Sequence, residues 1–158
     1  MKKPSKAFMG NKLVKSPFNP SVSATKRVTD KLPVPTQCPK CNGKVACVTN
    51  ELVYGRELGE YPWIYICTKC DMYTGLHPWT NIPVGTLADK PTREARKKGK
   101  KPFNLMVDNL GRKKAYKTLA NLMGIPTSEC HFGWFDVAQC VHAQECCEIH
   151  LKNQEKYL

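Results

Sequence analysis

The sequence predicts an α+β chain in which a small antiparallel sheet is packed with a C-terminal helical pair and preceded by a flexible basic tail. Three observations predict it. Two Cys-x-x-Cys pairs frame short runs of β-branched and aromatic residues, capped segments of helical periodicity fill residues 109–150, and residues 1–36 show no periodicity. A length of 158 residues with 41% hydrophobic side chains supports a small core, at a size where a metal crosslink contributes usefully. The expected division is a tail over 1–36 and a single domain over 37–150. Within that domain a ribbon occupies 37–75, an ordered loop and basic helix 76–102, and the helical pair 109–150.

The tail mixes Lys, Ser, Pro and Asn, which favours a solvated leader without structure in the free protein. Phe8, Leu13, Val14 and Phe18 nevertheless offer anchors between its charges. Eight of its side chains are basic and only Asp30 is acidic, so residues 1–35 carry a net +7.

The ribbon begins at Cys38-Pro-Lys-Cys41 and closes on Cys67-Thr-Lys-Cys70, with 25 residues between the pairs. Two residues between paired cysteines let both thiolates reach one ion while nearby amides donate to the sulfurs. Nine cysteines, an odd count, fit metal ligation in a reducing compartment better than a disulfide framework. Zinc in a closed Cys38, Cys41, Cys67, Cys70 shell is the expected occupant, although spacing alone would also admit iron. The runs at 44–49 and 62–67 form the hairpin of this zinc-ribbon-like unit, with Trp63 and Tyr65 alternating against Ile64 and Ile66.

Residues 71–88 are dense in glycine and proline and read as an ordered loop. A short basic helix follows from Lys90, capped by Asp89 and interrupted by Gly99 and Pro102. The first helix of the pair places Ala115, Leu119, Leu122 and Met123 on one face and ends at Gly124. The second is capped by Asp136 with Gln139 as its box partner, and Val137, Cys140, Val141, Gln144, Cys147 and Leu151 recur near helical spacing. Phe132, Trp134 and Phe135 fill the corner between them. Cys130, Cys140 and Cys147 read as small buried hydrophobes, with a second metal through Cys130, His131 and Cys140 as the alternative.

Several stretches together resemble the zinc-finger-containing domain family of small phage and prophage proteins. They are the two cysteine pairs, Gly75–Thr80, Pro83–Asp89, Arg93-Glu-Ala-Arg96, Ala115–Ile125, and Cys130–Asp136 followed by Cys140, spanning roughly 36–148. The resemblance implies a phage-like origin and a single-domain architecture, and brings no enzymatic assignment. Relatives tend to carry Ala-His and a carboxylate where this chain reads Gly99-Lys100 and Phe103-Asn104. The loss weakens a hydrolase reading, and Lys98 and Lys101 push the segment toward charge complementarity.

The net charge of +12 makes polyanions the first partners to consider. Lys40, Lys44, Arg56 and Lys69 surround the ribbon, Tyr54, Trp63, Tyr65 and Tyr73 supply aromatic side chains of which half belong to the core, since only one face of the Trp63–Ile66 alternation can be outside, and Arg93, Arg96, Lys97, Lys98, Lys100, Lys101, Arg112 and Lys113 form a second patch. These residues point to binding of RNA, DNA or a nucleoprotein complex. A phage-type effector acting on an acidic surface of a host protein is the alternative. A small nuclease using His77, Asp89, Arg93, Arg96, His131 and Asp136 is the weaker one, because no metal-binding or nucleophile motif unites them. No apolar run reaches the roughly 18 residues that span a bilayer, and the start lacks a signal peptide's apolar core, so a soluble cytoplasmic protein with no membrane partner is expected.

Overall fold

A computed structural model of the chain describes residues 14–157. Two compact units divide it, the first ending at Asp89 and the second beginning at Lys90. Each unit has its own core.

The first unit holds an open three-stranded antiparallel sheet in the order β1 (Val45–Thr49), β2 (Trp63–Cys67), β3 (Tyr73–Gly75). The register pairs Val45 with Cys67, Cys47 with Tyr65 and Thr49 with Trp63, then Tyr65 with Thr74. Period-two alternation therefore sets Val45, Cys47, Trp63, Tyr65 and Cys67 on one face, and this face forms the core with Cys38, Met72, Leu76 and Leu87. Part of the expected loop is thus strand. Beyond β3, isolated bridges join Tyr73 to Ala88 and Leu76 to Pro83, so backbone pairing fixes the glycine- and proline-rich stretch.

The leader has structure from Val14 onward; Phe8 and Leu13 lie outside the described residues. A short helix, α1 (Val22–Arg27), is capped by Ser21, whose hydroxyl accepts from Ala24 N. Phe18 meets Trp63 edge-on at 5.6 Å. A single turn, α2 (Glu51–Tyr54), then links β1 to β2 and ends on Gly55.

The second unit is helical. Its first helix, α3 (Lys90–Leu110), runs unbroken through Gly99 and Pro102, where the sequence led us to expect an interruption. Proline in a helix interior removes one hydrogen bond and costs about 3 kcal/mol. Burial of Gly99, Phe103 and Met106 on either side holds the helix together despite it. Gly111, at φ +81° and ψ 155°, ends α3 and starts α4 (Arg112–Met123), a conformation that is essentially glycine's alone. Gly124 closes α4 in the left-handed conformation, with Ile125 N donating back to Ala120 O at 3.0 Å.

Two short 3-10 turns lead to α5 (Val137–Glu155), whose capping box is complete: Gln139 N donates to Asp136 Oδ1 at 2.8 Å and Asp136 N donates to Gln139 Oε1 at 3.0 Å. The apolar stripes are rotated from those expected. Ala120 and Ala143 are buried, whereas Leu122, Val137 and Val141 are exposed. Small side chains at the contact let helices approach closely, so Ala and Cys displace the larger residues from the seam. The resulting core joins Phe103, Met106, Leu119, Phe132 and Phe135 to Cys130, Cys140 and Cys147.

Candidate metal centre

Four cysteines converge at one end of the sheet because two knuckles turn their backbones inward. In the first, Cys38 N donates to Gly43 O at 2.8 Å and Asn42 N donates to Cys38 O at 3.0 Å. Asn42 takes the left-handed conformation, φ +59°, that Asn tolerates better than most residues. Gly43 N then points at Cys41 Sγ, 3.4 Å away. The second knuckle repeats the device: Lys69 N and Cys70 N donate to Cys67 Sγ at 3.3 and 3.4 Å, and Cys67 N donates to Met72 O at 2.9 Å.

All four sulfurs lie within 4.8 Å of one another, and all four cysteines are free of disulfides. The separations are 3.4 Å for Cys41–Cys67 and 3.6 Å for both Cys38–Cys70 and Cys41–Cys70. A tetrahedral ion with metal–sulfur bonds of about 2.3 Å needs sulfur–sulfur edges of about 3.8 Å. The set therefore fits such an ion with little adjustment. Gly43 is part of the fit, since a Cβ there would lie 2.9 Å from Cys67 Sγ and 3.1 Å from Cys41 Sγ. Burial would push the Cys67 thiol up, but the amides of Lys69 and Cys70 and the neighbouring cysteines bring it down to about 6. At Cys70 the Met72 amide pulls the thiol down, but burial and the neighbouring sulfurs push it up to about 12, so the four thiols share their protons unevenly and the amides of the second knuckle favour Cys67 as the charged one.

Residues 34–149 match the family described as a zinc-finger-containing domain. The chain belongs to this zinc-finger-containing domain family. Neither the curated proteins nor the solved structures yielded a match. The family's description agrees with the knuckle geometry, and the matched span takes in both compact units rather than the ribbon alone.

Lys44 and Lys69 flank the centre of this zinc-finger-containing domain and are exposed; Arg56 is exposed as well, but in the β1–β2 connection at the opposite end of the sheet. Lys40 is tied down: its Nζ donates to Asp89 Oδ2 at 3.3 Å, and that hydrogen bond and charge raise its pKa. Trp63 and Tyr65 are buried on the core face and offer no stacking surface, so they are the half of the aromatic set that belongs to the core. Tyr54 is exposed and Tyr73 half-buried. In the helical unit Lys97, Lys98, Lys100, Lys101, Arg112 and Lys113 are exposed and Arg93 is half-buried. Arg96 serves the fold, its Nε donating to Phe135 O at 2.9 Å.

The second candidate set is differently placed. Among the described residues, the four ribbon cysteines are the only group of three or more His, Cys, Asp or Glu with ligand atoms within 4.8 Å. Cys130 and Cys140 are buried in the helical core, and His131 stacks on Trp134 at 4.5 Å. Two features were only partly legible. Asn42-Gly43 after the first cysteine pair belongs to the knuckle's pattern, but nothing in it says how closely Gly43 meets the sulfurs; Pro78 marks a tight turn without marking Trp79 as its left-handed residue.

Proposed function

We propose that the protein is a zinc-stabilised nucleic-acid-binding protein that recognises the phosphate backbone through its helical unit. The supporting observation is the basic side of α3. Lys90, Lys97 and Lys101 recur at the spacing of one helical face, with Arg93 and Lys100 beside them, on a helix about 30 Å long. Glu94 and Asp108 are the only acids on α3, against seven basic side chains. The break at Gly111 then presents an open basin of about 410 Å3 lined by Leu110, Arg112, Lys113, Lys114 and Lys117. Both the charge and the first-turn amides of α4 favour an anion there.

Zinc is the metal that four thiolates in this spacing suit best, and with four protein ligands its shell is closed. Its contribution is to crosslink the two knuckles and so hold the ribbon's surface rigid. The residues considered for a hydrolytic site have other duties: Asp136 caps α5, Asp89 pairs with Lys40, and His131 stacks on Trp134. Binding rather than catalysis is therefore the reading these residues support.

The test is affinity for purified RNA and DNA oligonucleotides across a salt series. A linear fall of log affinity with log salt is expected, and the double variant Lys97→Glu/Lys101→Glu should flatten the slope by about two and weaken binding at least tenfold. Failure to bind any oligonucleotide, with nuclease-resistant capture of an acidic protein instead, would replace this reading with a protein partner.

A further inference from the structure

Trp79 differs from the other aromatic residues of the ribbon unit. Trp63 and Tyr65 are each only 4% exposed, whereas Trp79 keeps 40% of its surface in solvent. Its backbone lies in the left-handed region, at φ +66°. That conformation strains a bulky residue and is ordinarily taken by Gly or Asn. A chain needing only a turn here would be better served by either.

Trp79 is itself the third residue of the His77–Thr80 turn, after Pro78, so the left-handed backbone belongs to the turn, and only the choice of an indole over Gly or Asn there is left unexplained by it. Thr80 N and Oγ1 donate to His77 O at 3.2 and 2.9 Å, His77 N donates to Ile82 O at 2.8 Å, and Ile82 N donates to Thr80 Oγ1 at 3.0 Å. The indole is braced separately by the Tyr61 ring, 5.2 Å away and tilted by 58°. Tyr61 is itself anchored, its hydroxyl donating to Thr80 O at 2.7 Å. Trp79 O accepts from Ser21 N at 2.8 Å, which attaches the start of α1 to the same residue. The side chain is thus rigid, partly exposed and maintained at a backbone cost.

Cations accompany it. From its Ser21 cap, α1 runs about 9 Å at helical rise to Lys26 and Arg27, both exposed. Residues 14–29 contain no acid. Phe18, 72% exposed and edge-on to Trp63, adds a further aromatic surface in the same segment.

We propose that Trp79 is a stacking platform for an unpaired base of single-stranded nucleic acid, with Lys26 and Arg27 serving the flanking phosphates. An indole held in this way gains affinity from a stacked base with no preference for base identity, because every base has a π-face. A duplex keeps its base faces covered, so only an unpaired strand can use the platform. The inference rests on the nucleic-acid reading above and adds the form of strand that the ribbon unit takes.

The zinc-loaded full chain is titrated with short single-stranded RNA, single-stranded DNA and a duplex of the same sequence, reading both affinity and tryptophan emission. Single strands should quench the emission, and the stronger of the RNA and DNA arms identifies the natural strand. Trp79→Ala should weaken single-strand binding about tenfold while leaving duplex affinity and its salt slope unchanged. Trp79→Phe should retain most of the affinity. Trp79→Asn keeps a residue suited to the left-handed turn, so loss of single-strand binding at an unchanged or raised melting temperature is a result that a merely structural role would not give. Wild-type single-strand affinity in Trp79→Ala, or equal loss of single-strand and duplex binding, overturns the platform and leaves the phosphate-binding reading standing. Absence of salt-sensitive binding to all three oligonucleotides overturns both.

Discussion

A Cβ built on Gly99 would lie 2.9 Å from Cε1 of Phe132, and 3.2 Å from the carbonyl oxygen of Cys140. Gly99 therefore sits where α3 meets both the aromatic corner and the backbone of α5. Helix propensity alone would make Gly99→Ala favourable by about 1 kcal/mol. Overpacking against a ring held in the core costs about 1–3 kcal/mol, and the carbonyl cannot rotate away as a flexible side chain would. The urea midpoint of the helical unit should fall in Gly99→Ala and fall further in Gly99→Val. A midpoint above that of the wild type would show that the Phe132 ring yields freely.

Pro102 makes the opposite prediction on the same helix. It is half-buried inside α3 and leaves the carbonyl of Lys98 without its usual helical partner. Pro102→Ala should restore that bond and stabilise the helical unit by about 1–3 kcal/mol, read as a higher denaturation midpoint with an unchanged m-value. A loss of stability would mean that the ring's own packing outweighs the missing hydrogen bond.

These two positions show where the sequence was a poor guide. Gly99 and Pro102 break helices by local propensity, and only the tertiary contacts of Gly99, Phe103 and Met106 override it. The burial of Trp63 and Tyr65 agrees with the alternation within β2, which leaves only part of the ribbon's aromatic set outside. Large side chains such as Leu122 and Val141 were assigned to the core from hydrophobicity, while the close helix contacts select Ala120 and Ala143. The metal ligands were legible because thiolate coordination imposes its spacing on the sequence. So were the Gly124 cap and the Asp136–Gln139 box, which are local hydrogen-bond chemistry. Trp79 was hidden because Pro78 announces a turn, while the left-handed third position of such a turn is ordinarily Gly or Asn.

Gly43 gives the metal centre a prediction separate from its ligands. A Cβ there would lie 2.9 Å from Cys67 Sγ and 3.0 Å from the Cβ of Lys69, so the two knuckles could not close to their present spacing. Gly43→Ala should weaken zinc about 10- to 100-fold, the range typical of changes just outside the ligand shell. Competition with a chromophoric chelator measures this directly. Cys38→Ser should go further and abolish stoichiometric tight binding, with loss of ribbon structure on chelation. Retention of the folded ribbon in metal-free protein would show that the sheet's own core suffices.

Cys147 makes the stability of the helical unit depend on alkaline pH. It is fully buried, and burial first, then the neighbouring Cys146 and Cys130, push its thiol up to about 12; burial likewise raises Cys130 to about 11. In the unfolded chain both thiols titrate near the ordinary value of about 8.5. Below that pH both states hold the proton and the stabilisation is fully present. Above it the unfolded chain releases protons that the folded chain keeps, so stability falls progressively as pH rises from about 9 toward about 12. The wild-type urea midpoint should therefore decline over this window, and Cys147→Ala should decline less steeply although it starts lower because of the cavity. The difference between the two slopes isolates the thiol from the lysines and tyrosines that titrate in the same range. Parallel slopes would show that Cys147 loses its proton as readily in the folded unit as in the unfolded chain.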